Sequence, residues 1–111
     1  ITTVDTQSYE ALVCRGVALG LRRKVKDGLE RMEKAMLLKA QEWDAYFWKG
    51  MLMLYYYQRA SSCEEAVQII RHALALGLPP VLLTPLYSLR EDMPKTFSSY
   101  VRPLLAEYGV G

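Results

Sequence analysis

Apolar positions recur at helical spacing along almost the whole chain. Tyr9, Leu12, Val13, Gly16, Val17, Leu19 and Leu21 follow one another at three- and four-residue steps and define one broad face. Asp5 or Thr6 is placed to cap that helix, which is predicted to run to about Lys24. Asp27, with Glu30 three residues on, predicts a second helix ending near Ala40. Asp44 opens a third, reaching about Tyr57. Ser62 and Glu65 have capping-box spacing for a fourth, which Gly77 and the Pro79-Pro80 pair terminate. Pro80 suits the first turn of a short fifth helix, with Pro85 still near its start. Asp92 and Pro94 open a sixth that ends at Gly109, with a bend or break expected at Pro103, nine residues in. Six helices leave no stretch over for a sheet, so the expected class is all-α.

A repeat organises these helices. Ala11 and Ala45 are 34 residues apart, as are Arg15 and Lys49, and Gly16 and Gly50. Gly28-Leu29 answers to Ala66-Val67, and Ala35-Met36 to Ala73-Leu74, at a separation of 38. The four extra residues, about one helical turn, fall in the stretch Leu54–Ser61. A glycine inside a helix costs about 1 kcal/mol against alanine. Gly16 and Gly50 at one place in both units therefore mark a close approach between helices. A single helix pair cannot bury its apolar face alone, so such units stack. The expected division is a first helix pair over residues 1–42, a second over 43–78, and a divergent third pair or cap over 79–111, all within one domain.

Over roughly residues 8–78 this pattern resembles the tetratricopeptide-repeat family. Leu12 and Tyr46 stand where that family has a large residue one turn before its mid-helix glycine, here Gly16 and Gly50. Leu19 and Met53 stand at its following tyrosine position, with the small residues Gly28, Ala35, Ala66 and Ala73 in the second helices. Arg15 and Lys49 replace the family's usual leucine before the glycine, and Leu78-Pro79 displaces its closing proline by one residue. The resemblance implies a right-handed array of antiparallel helix pairs that binds protein segments in a concave groove lined by the first helix of each pair. By register that lining is Glu10, Val13, Cys14 and Val17 in the first unit, and Asp44, Phe47, Trp48, Met51 and Tyr55 in the second. A subgroup of the family clamps a C-terminal carboxylate with lysines and asparagines. Val13, Val17 and Trp48 are apolar and the chain contains no asparagine, so that mode is not expected.

The stretch Trp43–Tyr57 combines Trp43, Tyr46, Phe47, Trp48, Tyr55, Tyr56 and Tyr57 with Met51, Met53, Leu52 and Leu54. Hydrophobicity all round a helix implies burial on more than one side. One side left open would instead present aromatic anchors of the kind that dominate binding energy, with the methionines adapting to an incoming helix. Arg15 and Lys49 are expected either to lay their alkyl stems on the array with their charged ends reaching water, near the potential partners Glu10, Glu42 and Asp44, or to form a cationic row facing an acidic segment.

Composition narrows the function classes. The chain has 111 residues, 51% hydrophobic and 23% charged, which fits one globular core and excludes a disordered tail. No apolar run is long enough to span a membrane. It opens Ile1-Thr2-Thr3 without a leader pattern or initiator Met, as expected of a processed chain or a piece of a longer one. Two cysteines, Cys14 and Cys63, and one histidine, His72, supply neither a four-ligand zinc site nor a disulfide framework, so a reducing cytoplasm is the expected compartment. The basic excess sits in Arg22, Arg23, Lys24 and Lys26, where a helix C-terminus favours cations, and a pI of 8.6 is below the range of most nucleic-acid binders. His72 has no neighbouring nucleophile in sequence, and phosphate-cradling glycine loops and HExxH are lacking.

The expected function is therefore a non-enzymatic protein-interaction module without a cofactor or metal, part of a larger signalling or adaptor protein. It would take an amphipathic or apolar partner segment against Val13, Val17, Phe47, Trp48, Met51 and Tyr55, with Arg15, Asp44 and Lys49 as a polar rim. Two alternatives stand beside it. One is a structural element packing on another copy or another domain. The other is a sensor with an apolar small-molecule pocket between the third and fifth helices.

Overall fold

The computed structural model describes residues 8–57, 60–84 and 95–109. Among these the chain is all-α, with no strand. The helices are α1 (Tyr9–Leu21), α2 (Val25–Leu38), α3 (Asp44–Tyr56), α4 (Ala60–Leu76) and α5 (Lys95–Glu107), with a 3-10 helix at Pro80–Leu83. The short fifth helix expected from Pro80 is this 3-10 turn, closed by the Thr84 hydroxyl donating to the Val81 carbonyl at 2.7 Å. Pro85, Asp92 and Pro94 lie outside the described residues, as do Asp5 and Thr6.

Several boundaries differ from the sequence expectation for local reasons. Ser8 caps α1, its Oγ accepting from the Ala11 N–H at 3.2 Å. The helix stops at Leu21, earlier than Lys24, because Arg23 turns into the left-handed region at φ 66°. There the Arg23 N–H donates to the Gly20 carbonyl and the Lys24 N–H to that of Leu19, the double closure of a Schellman motif. So tight a turn lets α2 begin at Val25, which puts Asp27 in its first turn, favourable for the dipole, rather than at the cap. α4 begins at Ala60, which places Ser62 inside its first turn. Its other end is as expected: Gly77, at φ 119°, makes the same double closure, with Gly77 donating to Leu74 and Leu78 to Ala73. Pro103 does not divide the last helix. α5 runs continuously past it with the proline exposed, while Val101, Leu104 and Leu105 bury the opposite side. Packing of those three side chains outweighs the loss of one helical hydrogen bond.

The helices pack as two antiparallel pairs, α1 on α2 and α3 on α4, with α3 also against α1 and α2 and α5 against α4. The repeat appears directly in the closest approaches. A β-carbon on Gly16 would lie 3.0 Å from the Gly28 carbonyl oxygen and 2.8 Å from the Met32 methyl. One on Gly50 would lie 3.1 Å from the Ala66 oxygen and 2.5 Å from Ile70 Cγ1. Ala66 and Ile70 follow Gly28 and Met32 by the 38-residue offset, so the two glycines occupy equivalent environments. Ala35 and Ala73, at the same offset, are both fully buried.

Two apolar cores result. One joins α1 and α2 to α3 through Tyr9, Leu12, Val13, Met32, Ala35, Ala45 and Leu52. The larger joins α3, α4, the 3-10 turn and α5 around Leu54, Ile70, Leu83 and Leu104. Leu29 touches both.

Candidate functional site

α1 and α3 lie side by side and run the same way. Near their starts the Tyr9 hydroxyl accepts from the Ala45 N–H at 3.1 Å, a buried bond. Near their ends Leu52 fills the space that a side chain on Gly20 would need. Residues related by the 34-residue offset are therefore level with each other on neighbouring helices.

That register sorts the expected site residues. Val13 and Phe47 are 8% and 5% exposed and belong to the two cores, not to an open lining. Glu10, Cys14, Val17 and Leu21 form a stripe along α1, and Asp44, Trp48, Met51 and Tyr55 form the matching stripe along α3. Val17, Met51 and Asp44 are half-buried; Glu10, Cys14, Leu21, Trp48 and Tyr55 are exposed. Trp48 keeps 36% of its surface open, Tyr55 48% and Leu21 68%. Leu21 was missed from the sequence, although the offset applied to Tyr55 points to it.

Ring contacts support the stripe on α3. Trp48 packs edge-on against buried Phe47, with centroids 5.1 Å apart, and Tyr55 against Tyr56 at 4.9 Å. On the remaining sides of α3, Ala45, Phe47, Gly50, Leu52, Met53 and Leu54 are buried, so the helix is enclosed except along this line.

Arg15 and Lys49 are not its rim. Both sit on the flank turned away from the stripe, where Lys49 Nζ pairs with Glu33 of α2 at 3.3 Å. The expected partners of Lys49, namely Glu10, Glu42 and Asp44, are not its partners here; Glu10 pairs instead with Lys39 at 3.8 Å, which also lies over the Tyr9 ring. Arg71, which follows Glu33 by 38 residues, pairs with Glu107 of α5, so the repeat keeps an ion pair at this inter-helix position and reverses its sign.

Burial pushes the Tyr9 hydroxyl above its ordinary value of 10.0; the Ala45 N–H opposes this, and Asp44, Glu42 and Glu10 add to it. Burial likewise raises the Cys63 thiol. Cys14, by contrast, is exposed on the α1 stripe. His72 is exposed and meets the Tyr46 ring edge-on at 4.6 Å. Among the described residues no group of three His, Cys, Asp or Glu side chains is assembled to hold a metal ion, and no helix is long and apolar enough to cross a membrane.

Three open depressions among the described residues measure about 190, 260 and 290 Å³. These fall below the roughly 300–1,000 Å³ typical of drug-sized sites. Where a pocket was expected between the third and fifth helices, Leu83 of the 3-10 turn is fully buried in one core with Phe47, Met53 and Leu54 of α3. No family model, curated protein or solved structure matches this chain.

Proposed function

We propose that this chain is a protein-interaction module of tetratricopeptide-like construction, receiving an amphipathic or apolar partner segment along the paired stripes of α1 and α3. One observation carries the reading. The α3 helix buries every apolar side except the line Trp48–Met51–Tyr55, and α1 extends that line with Cys14, Val17 and Leu21 at the same register. Two neighbouring apolar stripes offer a seat for side chains spaced i, i+3, i+4 and i+7 on an incoming helix. Asp44 at the start of the α3 stripe selects a basic residue there, beside Glu10, which is paired with Lys39. Trp48 is the expected hot spot, being large, half-enclosed and held in place by Phe47.

Selection of helical peptides from a display library against the full chain tests this. Enriched peptides should be amphipathic, and Trp48→Ala with Tyr55→Ala should weaken them about 30-fold or more while leaving the helical circular dichroism intact. Enrichment indifferent to the double substitution would defeat the reading.

The reading as a packing element is favoured by a different feature. Leu37 and Leu38, at the end of α2, are 87% and 56% exposed and adjoin a depression that reaches Leu12. Sedimentation of the free chain distinguishes it: a monomer favours the module, a stable dimer lost on Leu37→Ser the packing element.

A further inference from the structure

The repeat also says what is missing from one face of α1. On α3, the residues Ala45, Lys49, Leu52 and Tyr56 form the flank that packs on the first helix pair: Ala45 and Leu52 are buried in the shared core, Tyr56 packs against it, and Lys49 pairs with Glu33. The residues at the same register on α1 are Ala11, Arg15, Ala18 and Arg22. Arg15, Ala18 and Arg22 are exposed, and with Leu19 and Arg31 they line an open depression of about 290 Å³. Lining this depression are three arginines and no carboxylate. The adjoining one, of about 190 Å³, mixes Lys24, Arg31 and Lys34 with Asp27 and Glu30.

We infer that this flank of α1 is a second docking surface, occupied by an acidic amphipathic helix of a partner protein in the manner in which α2 covers α3. Two observations define the occupant. The internal template is a helix that lays an apolar seam against the core containing Ala45 and Leu52 and sets a carboxylate, Glu33, against the cation at the Lys49 position; Arg15 holds that position on α1. The arginines then extend the preference for acid beyond one pair. A second copy of this chain supplies no free templating helix, since α2 is packed on its own α1 and α3.

The test uses the full chain and two synthetic helical peptides with one Ala/Leu seam, flanked in one by glutamates and in the other by lysines. The glutamate peptide should bind and perturb the amide signals of residues 15–22 and Arg31. The Arg15→Glu, Arg22→Glu, Arg31→Glu variant should weaken it at least about tenfold, and raising the salt should weaken binding to the unaltered chain. Equal binding of the lysine peptide would overturn the inference, as would absence of binding at millimolar peptide or perturbation centred on Trp48 and Tyr55. Self-association of the chain that the triple variant abolishes would overturn it too, by making the occupant a copy.

Discussion

The α1/α2 and α3/α4 pairs are one unit in sequence register and two different objects in packing. In the first pair the crossing is backbone on backbone: a β-carbon at Gly28 would lie 2.6 Å from the Gly16 carbonyl oxygen. In the second pair Ala66 takes the place of Gly28, so only Gly50 at that crossing is without a side chain. Among the described residues the first pair is covered on one side, by α3; the second is covered by the first pair and by α5. Enclosure therefore makes α3 apolar nearly all round, whereas α1 keeps three kinds of surface: a buried face, an open apolar stripe and a basic flank. The same helix frame serves both roles because the small residues fix the spacing and the other positions are free to follow their neighbours.

The comparison breaks most visibly in the cores. Leu54 is fully buried and enclosed on every side, so Leu54→Ala should lower unfolding free energy by about 3–5 kcal/mol in chemical denaturation. Leu12, 2% exposed, borders the depression shared with Lys34, Leu37 and Leu38, where the gap left by Leu12→Ala can be filled by side chains or water; about 2–3 kcal/mol is expected. Equal losses would mean the two cores are equally enclosed.

The crossings come next. Gly28→Ala drives a methyl into a carbonyl oxygen and should cost about 1–3 kcal/mol in thermal or urea unfolding. Gly16→Ala meets the far end of Met32 at 2.8 Å and the Gly28 carbonyl oxygen at 3.0 Å, a looser backbone approach than at Gly28, and regains up to about 1 kcal/mol of helix propensity, so a smaller loss of about 0–1 kcal/mol is expected. The reverse order would place the closest approach elsewhere.

The two Schellman closures differ in a smaller way. Arg23 occupies a left-handed position that Gly77 fills without strain in α4, so Arg23→Gly should stabilise by about 0.5–1 kcal/mol and Gly77→Ala destabilise by about 1–2. Melting temperatures of the two variants should move in opposite directions.

The smallest effect concerns pH. With its folded-state value raised above 10.0, Tyr9 holds its proton longer in the folded chain than in the unfolded one. Its contribution is complete below pH 10 and is lost as pH rises through the raised value. A series of alkaline melting curves should therefore fall more steeply for the unaltered chain than for Tyr9→Phe.

What could be read from the sequence follows from how strictly each position is constrained. Gly16, Gly50, Ala35 and Ala73 were legible because a close approach admits so few side chains that the repeat survives in the residues themselves. The surround of α3 was legible because a helix enclosed on most sides has few polar positions to spare. The choice between Phe47 and Trp48, or Val13 and Cys14, was not. Neighbouring residues in a helix point about 100° apart, and which of two apolar neighbours turns inward depends on a crossing angle that periodicity does not contain. Helix starts were misread where a capping pattern at Asp27 or Ser62 competed with a chain direction set by the preceding turn. Arg15 and Lys49 illustrate the same limit: their shared register was evident, but that one would pair with Glu33 and the other face solvent depends on which unit has a neighbour.

The side-by-side alignment of α1 and α3 is the claim on which the rest stands, and a cross-link measures it most directly. Cys14 is exposed and Cys63 buried, so a W48C, C63S variant carries two surface thiols at equivalent register on helices whose axes should lie about 8–10 Å apart. A short bismaleimide should join them within one molecule, rapidly and only while the chain is folded. Products exclusively between molecules, or intramolecular joining no faster in the folded chain than in denaturant, would contradict the alignment and with it the paired stripes.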